Sequence, residues 1–339
     1  MKTYLVTGGA GFIGSHLIRR LLTQHADVAV INLDLLTYAG RLENLRDSEN
    51  CPRYRFVRGD IRDREMTVRL FSEQRIDAVV NLAAQTHVDR SIADAAPFLD
   101  TNVGGTVNLL NCARDAWQDA DGCYREGVRF LQVSTDEVYG SLGASGRFTE
   151  ASPPDPHSPY AASKASADLF VKAYADTYGL PVLVTRCSNN YGPCQHPEKL
   201  IPCMIGHALQ HQPLPVYGDG MQIRDWLHVD DHVRALDMVL HGGTPGEIYN
   251  IGGQNEHTNL ELIRTLLALI RELADPAVDE RLITHVTDRK GHDRRYGIDP
   301  SKIRDALDWQ PQIPFAAGLR QTVQWYLAHP ERLNPDNPQ

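Results

Sequence analysis

Two segments of the chain carry side chains that could do chemistry together. In Tyr160-Ala161-Ala162-Ser163-Lys164 a phenol and an amine stand four residues apart, so on a helix they share one face. A cation beside a phenol lowers the phenol's pKa, which makes a Tyr usable as a base near neutral pH. Ser134-Thr135-Asp136-Glu137-Val138-Tyr139-Gly140 adds a hydroxyl followed by two adjacent carboxyls. Oxidation of an alcohol needs Thr135 and Tyr160 but has no use for Asp136 and Glu137. The carboxyls point to a second proton transfer, such as loss of water. Taken alone, they serve equally well as a polar strand end or a helix cap.

Oxidation also needs a hydride acceptor, and the N-terminal residues have the spacing of a dinucleotide site. A short apolar run, residues 3–7, leads into Gly8-Gly9-Ala10-Gly11-Phe12-Ile13-Gly14-Ser15, after which Ile13, Leu17, Leu21 and Leu22 recur at helical spacing. Strand, glycine turn and helix are the context the dinucleotide fingerprint requires. Gly8 permits the tight turn, Gly11 lets the backbone approach a pyrophosphate, and Gly14 allows helix to pack closely on strand. The pyrophosphate would rest on the helix N-terminus, where free N–H groups favour an anion. A second apolar strand, 28–33, ends at Asp34, twenty residues beyond Gly14. A carboxylate there accepts hydrogen bonds from ribose hydroxyls and repels a 2′-phosphate, so the expected cofactor is NAD and not NADP.

The elements that must position these groups follow from the pattern. Strand candidates at 4–6, 28–33, 54–58, 78–82 and 129–134 alternate with helical segments such as 102–116. This alternation predicts an α/β fold with a Rossmann-type doubly wound parallel sheet. Ligands in such sheets bind beyond the carboxyl ends of the strands, where Gly8, Asp34, Asp60, Ala84 and Thr135 all fall. Asp60 reads equally as an adenine contact or a helix cap. Tyr160 opens a helix running to Tyr178, and a sixth strand follows at 180–185. After residue 190 the composition shifts towards Pro, His and aromatic residues. A smaller mixed α/β C-terminal substrate domain is expected from 191–226 and 251–330. Residues 1–190 form the cofactor domain, 227–250 return to it, and 331–339 are expected to fray. Arg224 and the Arg289/Arg294/Arg295 group are candidate diphosphate clamps, because a guanidinium matches phosphate oxygens bidentately. The competing reading for each is a surface ion pair. Lys199 would add charge, and Asn189 and Asn259 hydrogen bonds.

Composition excludes other classes. The chain has 339 residues, 42% hydrophobic and 23% charged, with a net charge of −9 and no Lys/Arg-rich run, which speaks against nucleic-acid binding. No apolar run approaches the roughly 20 residues of a membrane helix, and the N-terminus lacks a signal-peptide pattern. Six cysteines without a Cys-x-x-Cys pair suggest reduced thiols in a cytoplasmic protein, and the histidines show no convincing metal spacing.

Beyond these patterns, the chain resembles the extended short-chain dehydrogenase/reductases, the NAD-dependent epimerase/dehydratase family that acts on nucleotide sugars. The broad resemblance rests on Gly8–Gly14, Tyr160–Lys164 and Asn190-Tyr191-Gly192-Pro193. Leu33-Asp34-Leu35-Leu36-Thr37-Tyr38-Ala39-Gly40, Ala84-Gln85-Thr86-His87-Val88-Asp89-Arg90-Ser91 and the Asp136-Glu137 pair narrow it to the family's 4,6-dehydratases. Arg224-Asp225-Trp226 and Gly291-His292-Asp293-Arg294-Arg295-Tyr296 extend the match. Lys290 departs from it, standing where the family commonly has Pro.

The resemblance implies that Tyr160, assisted by Lys164 and Thr135, takes the proton from the sugar 4-hydroxyl. Glu137 would then remove the C5 proton, and Asp136 would protonate the departing 6-hydroxyl. Cofactor contacts are implied for Phe12, Ile13, Asp34, Thr37, Asp60 and Ile61. Leu82, Ala84, Thr101, Tyr160, Lys164 and Asn190 complete that set. Substrate contacts are implied for Thr86, Thr135, Asn189, Lys199, Leu200 and Pro215. Tyr217, Arg224, Asn259, Arg289, His292 and Asp293 join them. A homodimer is implied, through the 102–116 and Tyr160 helices. The resemblance favours dTDP-glucose as substrate, while the residues leave dTDP and UDP open. An epimerase or decarboxylase on the same scaffold, or a non-enzymatic NAD-binding regulator, are the competing readings; the Asp-Glu pair argues against the former and the intact Thr, Tyr and Lys set against the latter.

Overall fold

Twelve strands carry the architecture in the computed structural model, which describes residues 1–334. They are β1 (Lys2–Thr7), β2 (Val28–Asp34), β3 (Tyr54–Arg58), β4 (Ala78–Asn81), β5 (Arg129–Thr135), β6 (Val182–Cys187), β7 (Asn189–Tyr191), β8 (Leu214–Tyr217), β9 (Ile223–His228), β10 (Ile248–Ile251), β11 (Glu256–Thr258) and β12 (Ile283–Val286). Seven form one sheet in the order β10-β6-β5-β4-β1-β2-β3, every pair parallel. Parallel strands are covered on both faces, so their sequences read as nearly unbroken apolar runs. Val6, Val80, Leu131 and Val133 point into one core with Leu17 and Leu236. Leu5, Val79, Phe130 and Val184 point into the other with Leu109 and Ala113. The chain builds outward from β1 to β3, then crosses to β4 on the other side of β1. Beyond the carboxyl ends of β1 and β4 the connections part, and a crevice opens.

After β6 the chain leaves this sheet, forms β7 to β9, and returns through the helix Val229–Gly242 to lay β10 on the sheet edge. It then leaves again. The layer it builds outside contains the three-stranded β11-β9-β7 sheet, the two-stranded β12-β8 pair and a third apolar core. The helices Leu200–Leu209, Asn259–Leu273 and Phe315–Ala328 close that core. Thr258 starts the second of these with a full capping box to Glu261.

Three expected boundaries shift for visible reasons. The helix expected at 102–116 is Thr106–Trp117, because Leu99–Gly105 ahead of it winds as a π-helix whose Gly105 packs against Ile61. The sixth strand begins at Val182 and not at residue 180. Gly179, at φ 66°, ends the Tyr160 helix, Leu180 N–H still bonds back to Tyr174 O, and pairing starts only where Pro181 O accepts Phe130 N–H. The fraying expected from residue 331 does not begin there. Pro330–Leu333 is a 3₁₀ turn anchored through Arg332 to Asn44 and Glu43; residues 335–339 lie outside the described chain. Among the described residues no helix is long and apolar enough to cross a membrane.

Candidate active site

The crevice beyond β1 and β4 is built mostly of backbone. Gly8 turns at φ 68°, and a Cβ there would lie 2.8 Å from Ala83 N. A Cβ on Gly14 would overlap the Gly8 carbonyl oxygen, and one on Gly11 would approach it to 3.2 Å. The helix Phe12–Gln24 therefore starts hard against the turn, with no side chain capping its first N–H groups. Asp34, buried at the end of β2, accepts Ala10 N–H at 2.9 Å and Leu36 N–H at 2.8 Å, which fixes the glycine turn against the second strand. Burial raises its pKa even against those two bonds. An uncapped helix start, a side-chain-free turn and a carboxylate at the second strand end fit a dinucleotide. Thr37, Ile61, Leu82, Ala84, Thr101 and Asn190 line the same crevice.

Asp60 lines it as well, and it is not a helix cap. Asp63 caps the helix Arg64–Glu73, while Asp60 grips Arg62 through its main-chain and guanidinium N–H groups. Burial pushes the Asp60 carboxyl up, but those bonds win and hold it below the usual range.

At the inner end of the crevice, Tyr160 and Lys164 lie on the helix Pro159–Tyr178, started by Ser158, whose Oγ accepts Ala161 N–H. Both are nearly closed off, at 8% and 5% exposure. Lys164 Nζ donates to Val133 O at 2.7 Å, with the buried Asp168–Arg186 pair one turn further along. Burial, then the carboxylates of Glu137 and Asp136, pushes the Tyr160 phenol well above its ordinary value. The lowered phenol pKa expected from Lys164 is thus not a property of the chain alone, since the ammonium is itself depressed by burial.

Thr135 closes β5 and caps the tight turn Asp136–Tyr139 through a bond from Glu137 N–H. This turn points the two carboxyls to different surroundings. Asp136 is buried, and its Oδ2 has no hydrogen-bond partner; burial, then Glu137 and Asp225, drives its pKa well up. Glu137 is also raised by burial, but Arg224, Lys199 and Arg289 all pull it back towards the ionised form. Both carboxyls are thus raised, Asp136 with two carboxylates adding to burial and Glu137 with three cations opposing it.

A second crevice opens beyond Glu137, and Thr86, Asn189, Glu198 and Lys199 line both. Leu200, Pro215, Tyr217, Asn259, His292 and Asp293 line its walls. Arg224 donates to Asp293 O and stacks over Tyr296, with its guanidinium carbon 4.1 Å from the ring centre. Arg289 reaches across to Asp89 in a two-bond pair at 2.6 and 2.9 Å. Asn259 Oδ1 is buried without a partner. The expected arginine cluster does not act as one. Arg294 pairs with Asp219 on the surface, Arg295 pairs with Glu256, and neither lines the crevice. Their direction is set by the bridge that pairs Arg295 with Ile223.

The description "GDP-mannose 4,6 dehydratase" belongs to the family model that matches residues 5–322. The chain belongs to this family. It is 55% identical to the dTDP-glucose 4,6-dehydratase of Neisseria meningitidis serogroup B, over 96% of this chain and 94% of that one. It is 53% identical to the dTDP-glucose 4,6-dehydratase of Haemophilus influenzae, over 96% and 98%. The crystal structure of DesIV, a dTDP-glucose 4,6-dehydratase from Streptomyces venezuelae with NAD and TYD bound, superposes with a TM-score of 0.90 at 51% identity, covering 98% of this chain and 99% of that one. The resemblance read from the motifs and the doubly wound sheet are both borne out.

This 4,6 dehydratase family chain also places groups in the site that sequence reasoning missed. Glu198 sits between His87, Arg90, His196 and Lys199, all within 4 Å. His196, pushed down to about 4 by burial first and nearby cations next, lines the cofactor crevice as a neutral ring. The available signal was the charged Glu198-Lys199 step directly before a helix start. Asp89 lines the second crevice through its pair with the distant Arg289, and Tyr296 through a local bond from its hydroxyl to Asp293 and the stacked Arg224.

Proposed function

We propose that the protein is an NAD-dependent hydro-lyase that converts dTDP-glucose to dTDP-4-keto-6-deoxyglucose and water. The observation that carries this reading is the split carboxyl pair at the junction of the two crevices. Burial, with Glu137 and Asp225 beside it, drives the Asp136 carboxyl well up, while Arg224, Lys199 and Arg289 oppose the rise that burial gives Glu137. A 4-epimerase has no use for such a pair. The relatives named for dTDP-glucose support the nucleotide and the sugar.

The turn at Gly8, Gly11 and Gly14 would hold the cofactor pyrophosphate, and Asp34 the adenosine ribose. Bound NAD supplies a reversible hydride acceptor. Tyr160 takes the 4-hydroxyl proton, with Thr135 Oγ1 orienting that hydroxyl. A ketone at C4 makes the C5 hydrogen acidic, and Glu137 removes it. Asp136 donates its proton to the 6-hydroxyl, which leaves as water, and the product is complete once C6 receives back the hydride removed from C4 and C5 takes up a proton. Arg224, Arg289 and Lys199 would face the diphosphate, and Asn259, whose buried oxygen lacks a protein partner, the nucleoside. Mass spectrometry after separate incubations with dTDP-glucose and UDP-glucose tests the reading. Loss of one water from dTDP-glucose is expected; no loss from either substrate overturns it.

The same reading assigns 1–190 with 227–250 to the cofactor domain and 191–226 with 251–330 to the substrate domain. A homodimer is supported by Leu99, Leu169, Phe170 and Tyr178, which lie exposed on the π-turn and the Tyr160 helix. A monomeric mass in solution would refute it. The cytoplasm as location is supported by six unpaired cysteines.

A further inference from the structure

The segment after the last long helix reaches back to the glycine turn at the opposite end of the sequence. Arg332 Nη1 donates to Asn44 Oδ1 at 3.1 Å, and its Nη2 lies 3.2 Å from Glu43 Oε2. Asn44 Nδ2 in turn donates to Ala10 O at 3.0 Å, an oxygen that also accepts Arg41 N–H. Ala10 N–H donates to Asp34. Both peptide groups flanking Ala10, in the middle of the cradle, are therefore tied, and one tie leads outward to Arg332. Arg41 Nη2 closes a second link to Asn334 O. The segment is itself seated on the outer layer, where Leu333 packs over Gly206 and joins the third core. Its neighbour Tyr326 donates to Gln195 O, and Gln195 lines the cofactor crevice.

We propose that Arg332 is a positioning residue for cofactor retention. Through Asn44 it locks the glycine turn in its NAD-binding shape. Locking matters in this reaction, because the hydride taken from C4 must be given back at C6. A cofactor lost between those events leaves a stranded ketosugar and an enzyme that cannot finish its turnover. The inference rests on the reading that NAD occupies the cradle.

The test uses the full chain as purified, with Arg332→Ala, Arg332→Lys, Asn44→Ala and the Arg332→Ala/Asn44→Ala double variant. The readouts are co-purified NAD, its release rate on dilution into an NAD scavenger, and kcat and KM at varied added NAD. Arg332→Ala is expected to release NAD about tenfold faster, the scale of one charge-assisted hydrogen bond. Its deficit should lie in the KM for NAD, with kcat recovered at saturating NAD and the sugar-nucleotide KM unmoved. Arg332→Lys should recover part of the retention. The double variant should be no worse than the poorer single one, because both act through one link. Unchanged release from Arg332→Ala overturns the proposal, and so do fully additive effects in the double variant. A parent protein that holds no NAD, even when NAD is added, overturns instead the reading of the cradle on which the proposal stands.

Discussion

The two crevices meet at Glu137 but are made of different material. The cofactor crevice is walled by main chain, with glycines that leave no side chain in the way and Asp34 spent on two backbone N–H groups. The substrate crevice is walled by side chains drawn from across the chain, and its cations are already paired, Arg289 with Asp89 and Lys199 beside Glu198. A backbone site needs only a local turn in the right place. A side-chain site needs the whole outer layer folded first, and it can then concentrate charge that no local turn could hold. The chemistry sits where the two kinds meet, with one carboxyl left buried and the other facing the cations.

The sharpest test of that junction is Glu137→Gln. It keeps shape and removes the base, so dehydration should slow by about 10³-fold, within the range of general-base contributions. C4 oxidation should persist as cofactor reduction in a single turnover, without exchange of the C5 hydrogen. Dehydration at the normal rate would reassign the base. In the backbone crevice the corresponding change is Gly14→Ala, whose Cβ overlaps the Gly8 carbonyl. A clash of about 3 kcal/mol should weaken NAD binding roughly 100-fold, read by titration, with the fold retained by circular dichroism. If alanine there binds NAD normally, the cradle is not made of backbone in the sense drawn above.

The pH profile separates the two carboxyls. Glu137 must be ionised and its folded pKa is raised, so the elimination rate should fall as pH drops through a value above the usual glutamate range. Asp136 must be protonated and its folded pKa is raised well above the usual aspartate range, so the rate should fall as pH rises through that value. Each limb approaches about tenfold per pH unit. Asp136→Asn should lower the rate at every pH and erase the alkaline limb while the acid limb stays; an alkaline limb that survives belongs to another group.

A smaller effect serves as a control away from both crevices. His25 and His241 share Asp237, with His241 Nδ1 3.0 Å and His25 Nε2 2.8 Å from one oxygen. Hydrogen bonding to Asp237 raises the pKa of His241 above 6.5. Its contribution to stability is complete below about pH 6.5 and is lost as pH rises through the raised folded value. Partial exposure limits it to under about 1 kcal/mol. Wild type and Asp237→Asn should therefore differ in Tm more at pH 6 than at pH 9.

The same contrast explains what the sequence revealed. The glycine turn, Asp34 and the Asp136-Glu137 step are short-range features, and each landed where its spacing placed it. Arg289, Arg294 and Arg295 looked alike because their partners are far away. Asp89 lies 200 positions from Arg289, and only the β-bridge at Arg295 decides which guanidinium faces the crevice. Asp60 was ambiguous for the opposite reason. The true cap, Asp63, stands three residues further on, so the difference between a cap and a pocket wall is a local one. Glu198 left only the faint signal of a charged step before a helix, and the role of His196 follows from burial, which no pattern of neighbours records.

The late return of the chain to lay β10 on the sheet edge bears on how the molecule is made. β6 lacks one edge partner until Ile251 has been synthesised, and by then β7, β8 and β9 have already been made. The two halves must consequently mature together, with an exposed parallel edge waiting in the interval. A gene cut anywhere between them would yield a fragment whose sheet is unfinished.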